Sequence, residues 1–218
     1  MKIFKGWALP DYDTHFLNTI GNYPTTWYQQ NSLDLALSLV SNFEQCIDIG
    51  ANIGLHSVRL SNKFNQVVSF EPAYDNYKCL ERNTYLLNVK AFNCALGDRS
   101  MIGTISLPVN SKSCGGFSMK DFVGTSNKLH NEQVRIKCLD EFDLSPDLIK
   151  IDTQGFEVEV LRGGKETIQK HKPVILIETF GIQKNLIFKT LRQFNYKPAI
   201  KNFKSKDATL ENFQETIP

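Results

Sequence analysis

The residues in this chain best suited to chemistry stand just past short apolar runs. Gln45 to Ile49 leads into Gly50-Ala51-Asn52-Ile53-Gly54, Gln66 to Phe70 into Glu71-Pro72, Leu148 to Ile151 into Asp152, and Pro173 to Ile177 into Glu178. Short β-branched runs without a polar alternation read as strands buried on both faces, the mark of a parallel sheet. In an open sheet of that kind, ligands bind beyond the carboxyl ends of the strands, so acidic groups recurring there predict one shared site.

The glycine turn narrows the ligand. Gly50 and Gly54 are expected between a strand and a helix beginning near Ile53, where the backbone can approach a ligand and helix N-terminal N–H groups face it. A dinucleotide fingerprint needs G-x-G-x-x-G, but the second and third positions after Gly50 are Asn52 and Ile53, so the pyrophosphate-cradling glycines are missing. A phosphate loop needs G-K-[ST], and Gly164-Lys165 is followed by Glu166. What remains is a cofactor with a ribose and no pyrophosphate, for which S-adenosylmethionine (SAM) fits, with the Glu71 carboxylate accepting both ribose hydroxyls. Asp48 is read as binding the loop amides, as reaching the cofactor ammonium through water, or as only fixing the turn.

Methyl transfer from a sulfonium asks for alignment, exclusion of water and removal of the acceptor's proton. The candidate bases at the strand ends are Asp152, Glu157, Glu178 and His56. Each has a structural alternative. Asp152 suits a helix N-cap, Glu157 the first turn of a helix, and His56 and Glu178 a buried polar role. The same four could be drawn as a divalent-metal cluster, but no local ligand motif supports it and none is expected. Cys114, beside Gly115-Gly116, has no evident histidine partner and reads as a loop thiol.

The elements that must position these groups follow from periodicity. Leu55 to Lys63 and Tyr74 to Leu87 have helical spacing, and Val89 to Ala95 reads as a further strand. From about residue 103 to 140 the alternation breaks, and strand-like Thr104 to Leu107 and Gln133 to Lys137 flank a glycine-bearing stretch, predicting an inserted hairpin or loop. Leu139 to Phe142 suggests a helical turn. A helix over Asn185 to Phe194 precedes strands Tyr196 to Asn202 and Ala208 to Phe213, an antiparallel pair closing the sheet. The first 30 residues are rich in aromatics with little periodicity, a segment that either caps the site or packs on a domain spanning 31–218.

Composition agrees with a single packed domain of 218 residues, 41% hydrophobic and 22% charged. A net charge of +2 leaves no field for nucleic acid, so the partner is expected to be a small molecule, and Lys197 to Lys206 reads as a solvated hairpin. Five cysteines without metal spacing fit a reducing cytoplasm. No apolar run approaches the roughly 20 residues of a membrane span. No residue pattern specifies an oligomeric state.

The blocks IDIGANIGLHSVRLS, VVSFEP, NCALGD, IKIDTQGFEVEVLRGG and PVILIE, in this order and spacing, resemble the FkbM family of SAM-dependent methyltransferases. The resemblance implies an α/β class I (Rossmann-like) fold: a seven-stranded, mostly parallel sheet with helices on both faces and the last strand antiparallel. It implies methyl transfer to a hydroxyl of a sugar or other hydroxylated small molecule. Gly50, Ala51, Asn52 and Gly54 would lie along the methionine part of SAM, Glu71 and Pro72 at the ribose, Ala95 and Leu96 at the adenine, and Asp152 beside the methyl group. Trp27-Tyr28-Gln29 is similar to an upstream element that reaches over the amino-acid end of SAM. Gln154 departs from the glutamate found in many members. Two other classes compete: a nicotinamide-dependent oxidoreductase or epimerase on a similar sheet, and a non-catalytic nucleoside-binding module.

Overall fold

The computed structural model describes residues 1–22, 29–108, 111–116, 118, 129–179, 183–199 and 210–215. An N-terminal hairpin of β1 (Lys2–Phe4) and β2 (Trp7–Leu9) precedes helices α1 (His15–Asn22) and α2 (Gln30–Leu39). The central part holds β3 (Gln45–Ile49), α3 (Leu55–Ser61), β4 (Gln66–Phe70), α4 (Tyr74–Asn83) and β5 (Val89–Phe92). Next come β6 (Ala95–Leu96), β7 (Met101–Pro108) and β8 (Leu129–Lys137). The C-terminal part holds β9 (Leu148–Ile151), α5 (Glu157–Gly163), α6 (Lys165–His171), β10 (Val174–Glu178), α7 (Lys184–Gln193), β11 (Tyr196–Pro198) and β12 (Leu210–Glu215).

The main sheet has seven strands in the order β5-β4-β3-β9-β10-β12-β11. β5, β4, β3, β9 and β10 are mutually parallel, and β12 runs antiparallel to both β10 and β11. Side chains alternate across this sheet, and the alternation divides the core. Ile47, Ile49, Ile149, Ile151, Ile175 and Ile177 pack against α5, α6 and α7. Cys46, Val67, Leu148 and Leu176 pack on the other face with Leu33 and Ala36 of α2 and Leu60 of α3. The strands are mostly apolar because both faces are covered.

Register aligns the strand ends. Ile49 stands beside Phe70 and Ile151, Phe70 beside Phe92, and Ile151 beside Ile177. The residues that follow, Gly50, Glu71, Asp152 and Glu178, are thereby brought to one edge.

β3, β4 and β9 have the bounds that their apolar runs predict, and β10 is displaced by one residue. Other elements differ for local reasons. The helix after the loop begins at Leu55, because Gly54 is its N-cap with φ 93°. α4 stops at Asn83, where the chain turns through Leu86 at φ 71° to enter β5. The expected strand over Val89 to Ala95 is two strands in different sheets. Asn93 breaks it by donating to the carbonyls of Glu71 and Pro72 at 3.0 and 2.8 Å, and Ala95-Leu96 then pairs with β8 in a three-stranded sheet with β7. The insertion is a long antiparallel pairing of β7 with β8. β1, β2, α1 and α2 were not legible as elements, since their aromatic and apolar residues follow no clear period.

One backbone contact joins the two sheets. A Cβ on Gly163, at the end of α5, would lie 1.8 Å from the carbonyl oxygen of Gly97, just after β6. Alanine normally favours a helix over glycine by about 1 kcal/mol. Here Gly163→Ala is expected instead to destabilise by about 2 kcal/mol or more, lowering the melting temperature by several degrees in a circular-dichroism scan.

Candidate functional site

The β3–α3 turn is held from both sides. The N–H groups of Gly50 and Ala51 both donate to the Phe70 carbonyl at 3.0 Å. Gly50 has φ 73°, and a Cβ there would lie 1.8 Å from the Asp152 carbonyl oxygen. Its lack of a side chain is therefore demanded by the backbone just after β9, whatever ligand the loop takes. Asn52 also has a positive φ, 53°, unusual for a residue with a side chain, and its N–H donates to Glu71 Oε2 at 2.9 Å. These contacts form one wall of a cleft at the carboxyl edge of the sheet.

The expected site residues divide by position. Gly50, Ala51, Asn52, Glu71, Pro72, Ala95, Leu96, Asp152 and His56 all line the cleft. Gly54 acts at the helix N-cap behind it. Tyr28 lies outside the described residues. Gln29 caps α2 with φ 49° and is not among the residues lining the cleft.

Asp48 is fully buried away from the cleft, and neither the loop amides nor solvent reaches it. It accepts from Ser57 Oγ at 2.7 Å and pairs with Lys150 Nζ at 3.1 Å. Lys150, 2% exposed, also donates to the Gly50 carbonyl at 3.0 Å and lies 4.0 Å from Asp152. Burial pulls its ammonium down, but Asp48 and Asp152 outweigh this and hold it above the usual lysine range. This cation escaped sequence reasoning. The signal was there: a lysine inside a run read as a buried strand must have a partner, and Asp48 occupies the neighbouring register position.

The candidate bases behave differently from one another. Asp152 lines the cleft five residues before α5, whose N-cap is Phe156, so it is not a helix cap. Gln154, at φ 54°, donates through one amide nitrogen to Asp152 Oδ1 at 2.9 Å and Glu178 Oε2 at 3.2 Å. Burial, then the charges of Asp152 and Glu157, push the Glu178 carboxyl up to about 8, so it holds its proton at neutral pH. Glu178 is not among the residues lining the cleft. Glu157 turns away from the cleft: Oε1 accepts from Thr153 N, Thr153 Oγ1 and Gly155 N, each at 3.0 Å, and so fixes the loop carrying Asp152 and Gln154. Burial and the nearby Lys150 lower His56 to about 4, which leaves a neutral, weakly basic imidazole.

At the opposite end, Glu71 is 5% exposed, and burial pushes its carboxyl up to about 7. A roof closes over it from distant parts of the chain. Asp13 accepts from Phe16 N at 2.8 Å and Cys114 N at 2.7 Å, joining α1 to the insertion. The Cys114 thiol donates to Asn52 Oδ1 at 3.1 Å, and burial raises the thiol well beyond thiolate chemistry. Phe16, Asn76, Cys114 and Phe156 also line the cleft, contributions with no local sequence signal.

A parallel sheet with one antiparallel strand set between the last two, and an acidic cleft at its carboxyl edge beside a glycine turn, define a class I methyltransferase fold. The chain belongs to the FkbM methyltransferase family, whose domain, described as "Methyltransferase FkbM domain", matches residues 48–198. It is 30% identical over 173 residues to Methyltransferase sdnD of Sordaria araneosa, covering 62% of this chain and 65% of that protein. It is 26% identical over 173 residues to Hexuronic acid methyltransferase AglP of Haloferax volcanii, covering 76% and 68% respectively. The chain thus spans slightly under two thirds of the length of sdnD. A crystal structure of Methyltransferase FkbM from Methylobacillus flagellatus shares the fold at TM-score 0.57 and 19% identity, over 87% of this chain and 47% of that one.

Two outcomes test the electrostatics. Lys150→Met is expected to destabilise by about 3–5 kcal/mol in urea unfolding by stranding the Asp48 charge, and adding Asp48→Asn should recover a large part of that loss. Glu71 has an ordinary value of 4.5 and a folded value of about 7, so the unfolded chain ionises first and stability falls as pH rises between them. Relative to the unsubstituted protein, Glu71→Gln should gain up to about 3 kcal/mol on passing from pH 4.5 to 8.

Proposed function

We propose that this chain is a SAM-dependent O-methyltransferase acting on a hydroxyl of a sugar or other hydroxylated small molecule. The observation that carries the reading is the shared register of β3, β4 and β9, which sets a buried carboxyl, Glu71, and a second one, Asp152, on either side of one glycine turn in a single cleft. The residues present suit the cofactor: Glu71 has acceptor capacity for ribose hydroxyls, Ala95 and Leu96 line the cleft where their backbone groups can meet a base, and the loop lacks the glycines of a pyrophosphate cradle. When bound, SAM supplies an electrophilic methyl group on a sulfonium.

The chain's own residues do the rest. Asp152 accepts the proton of the acceptor hydroxyl as that oxygen takes on its new bond. Gln154 and Glu178 hold the Asp152 carboxylate, and Glu157 holds the loop that bears it. His56, kept neutral by burial, packs beside the glycine turn. Residues 1–22 of the N-terminal segment, with residues 111–116, keep water from the Glu71 end. The hexuronic acid methyltransferase among the relatives favours a carbohydrate acceptor. Five free cysteines suit a reducing cytoplasm.

Isothermal titration should give binding of SAM and S-adenosylhomocysteine, weakened at least tenfold by Glu71→Ala. Affinity should rise as pH passes 7, because the ionised carboxylate accepts hydroxyl donors better. Labelled-methyl transfer across a library of neutral sugars and hexuronates should identify the acceptor, and Asp152→Asn should lower turnover about a hundredfold. Tight NADH binding without SAM binding would sink the reading in favour of an oxidoreductase. SAM binding with no transfer to any acceptor would favour a binding module.

A further inference from the structure

Asp152 and Glu178 stand at the ends of the paired strands β9 and β10 and share one amide. Gln154 Nε2 donates to Asp152 Oδ1 at 2.9 Å and to Glu178 Oε2 at 3.2 Å, so two carboxyls surround a single nitrogen. Acids held that close ionise as a pair, and one proton stays with the pair over a wide range of pH. Because the amide serves both, it does little to choose which carboxyl carries that proton. The choice matters, since an acceptor hydroxyl can lose its proton only to the carboxyl that has none.

Lys150 supplies the asymmetry. Its ammonium is fixed by the Gly50 carbonyl at 3.0 Å and by Asp48 Oδ1 at 3.1 Å. Held there, Nζ lies 4.0 Å from Asp152 Oδ2, too far for a hydrogen bond but within the distance at which a cation favours a neighbouring carboxylate. No ion pair joins it to Glu178 among the described residues. The other groups at this end bring no competing cation: Glu157 on α5 is an acid, and His56 on α3 is kept neutral by burial. Ser118 and Gln183, which donate to the carbonyls of Gln154 and Gly155, are uncharged. The proton retained by Glu178 agrees, since burial and then the charges of Asp152 and Glu157 raise that carboxyl, and the opposing effect of Lys150 on it is the smallest of these.

We propose that Lys150 is a positioning residue for methyl transfer: from its anchorage on the glycine turn, its ammonium directs the proton of the carboxyl pair to Glu178 and so leaves Asp152 able to accept the proton of the acceptor. The structural part of its role, offsetting the buried Asp48 charge, disappears when both charges are removed together, whereas this role needs the cation itself. The inference rests on the function proposed above and adds to it a residue that acts through Asp152.

Comparison of Asp48→Asn with Asp48→Asn/Lys150→Met isolates the ammonium, because neither protein carries an unpaired Asp48 charge. With SAM saturating and labelled-methyl transfer followed from about pH 4 to about pH 9, the acid limb of kcat in the double variant should lie about one unit higher, a loss of about tenfold on that limb that vanishes toward the alkaline end. Identical profiles, or a loss of the same size at every pH, would overturn the proposal, since a purely structural lysine has no reason to move the limb. Carboxyl ¹³C NMR of the unsubstituted protein needs neither variant nor turnover: at neutral pH Glu178 should give the signal of an acid and Asp152 that of a carboxylate. A proton on Asp152, or one divided evenly between the two, counts against the assignment. If the unsubstituted protein binds no SAM and transfers no methyl group, the proposed function fails, and the NMR result still decides where the proton lies.

Discussion

A buried ion pair underlies the geometry of the site. Lys150 and Asp48 occupy neighbouring positions on adjacent strands, point to the same face of the sheet, and are almost wholly removed from water. Desolvating two such charges costs several kcal/mol each, and only close mutual contact with further hydrogen bonds offsets it. Ser57 supplies one of those bonds to Asp48, and the Gly50 carbonyl accepts another from Lys150. A slip of one residue between β3 and β9 would drive the lysine into the isoleucine layer beneath α5 and α7. The pair therefore locks the register that sets the glycine turn beside Asp152.

From that register the two ends of the cleft acquire opposite characters. The Glu71 end is closed, with its carboxyl raised by burial and covered by the α1–insertion contact through Asp13 and Cys114. At the Asp152 end polar groups are more exposed, and Gln154 donates to both Asp152 and Glu178.

Most of the main sheet was legible because its signals are local. Short, mostly apolar runs followed by glycine or acidic residues located β3, β4 and β9, and a four-residue strand buried on both faces leaves little freedom in where it ends. The N-terminal elements were illegible for the converse reason. Ala8, Leu9, Phe16 and Ile20 are buried against α4 and Cys114, so their apolar pattern answers to that irregular surface and not to a repeat.

By itself the sequence determined the class of fold, the glycine turn and the acidic residues that end the strands, since all of these follow from composition over a few neighbouring positions. Tertiary structure alone decided which acids face the cleft. Glu157 and Asp48 have the right type and spacing, yet one is occupied by three donors of its own loop and the other by Lys150. Asn76 and Cys114 had no local signal, and they meet at the cleft only because the insertion folds back over α4. Strand and turn propensity act along the chain, whereas hydrogen-bond satisfaction and burial depend on which distant segments the packing brings together.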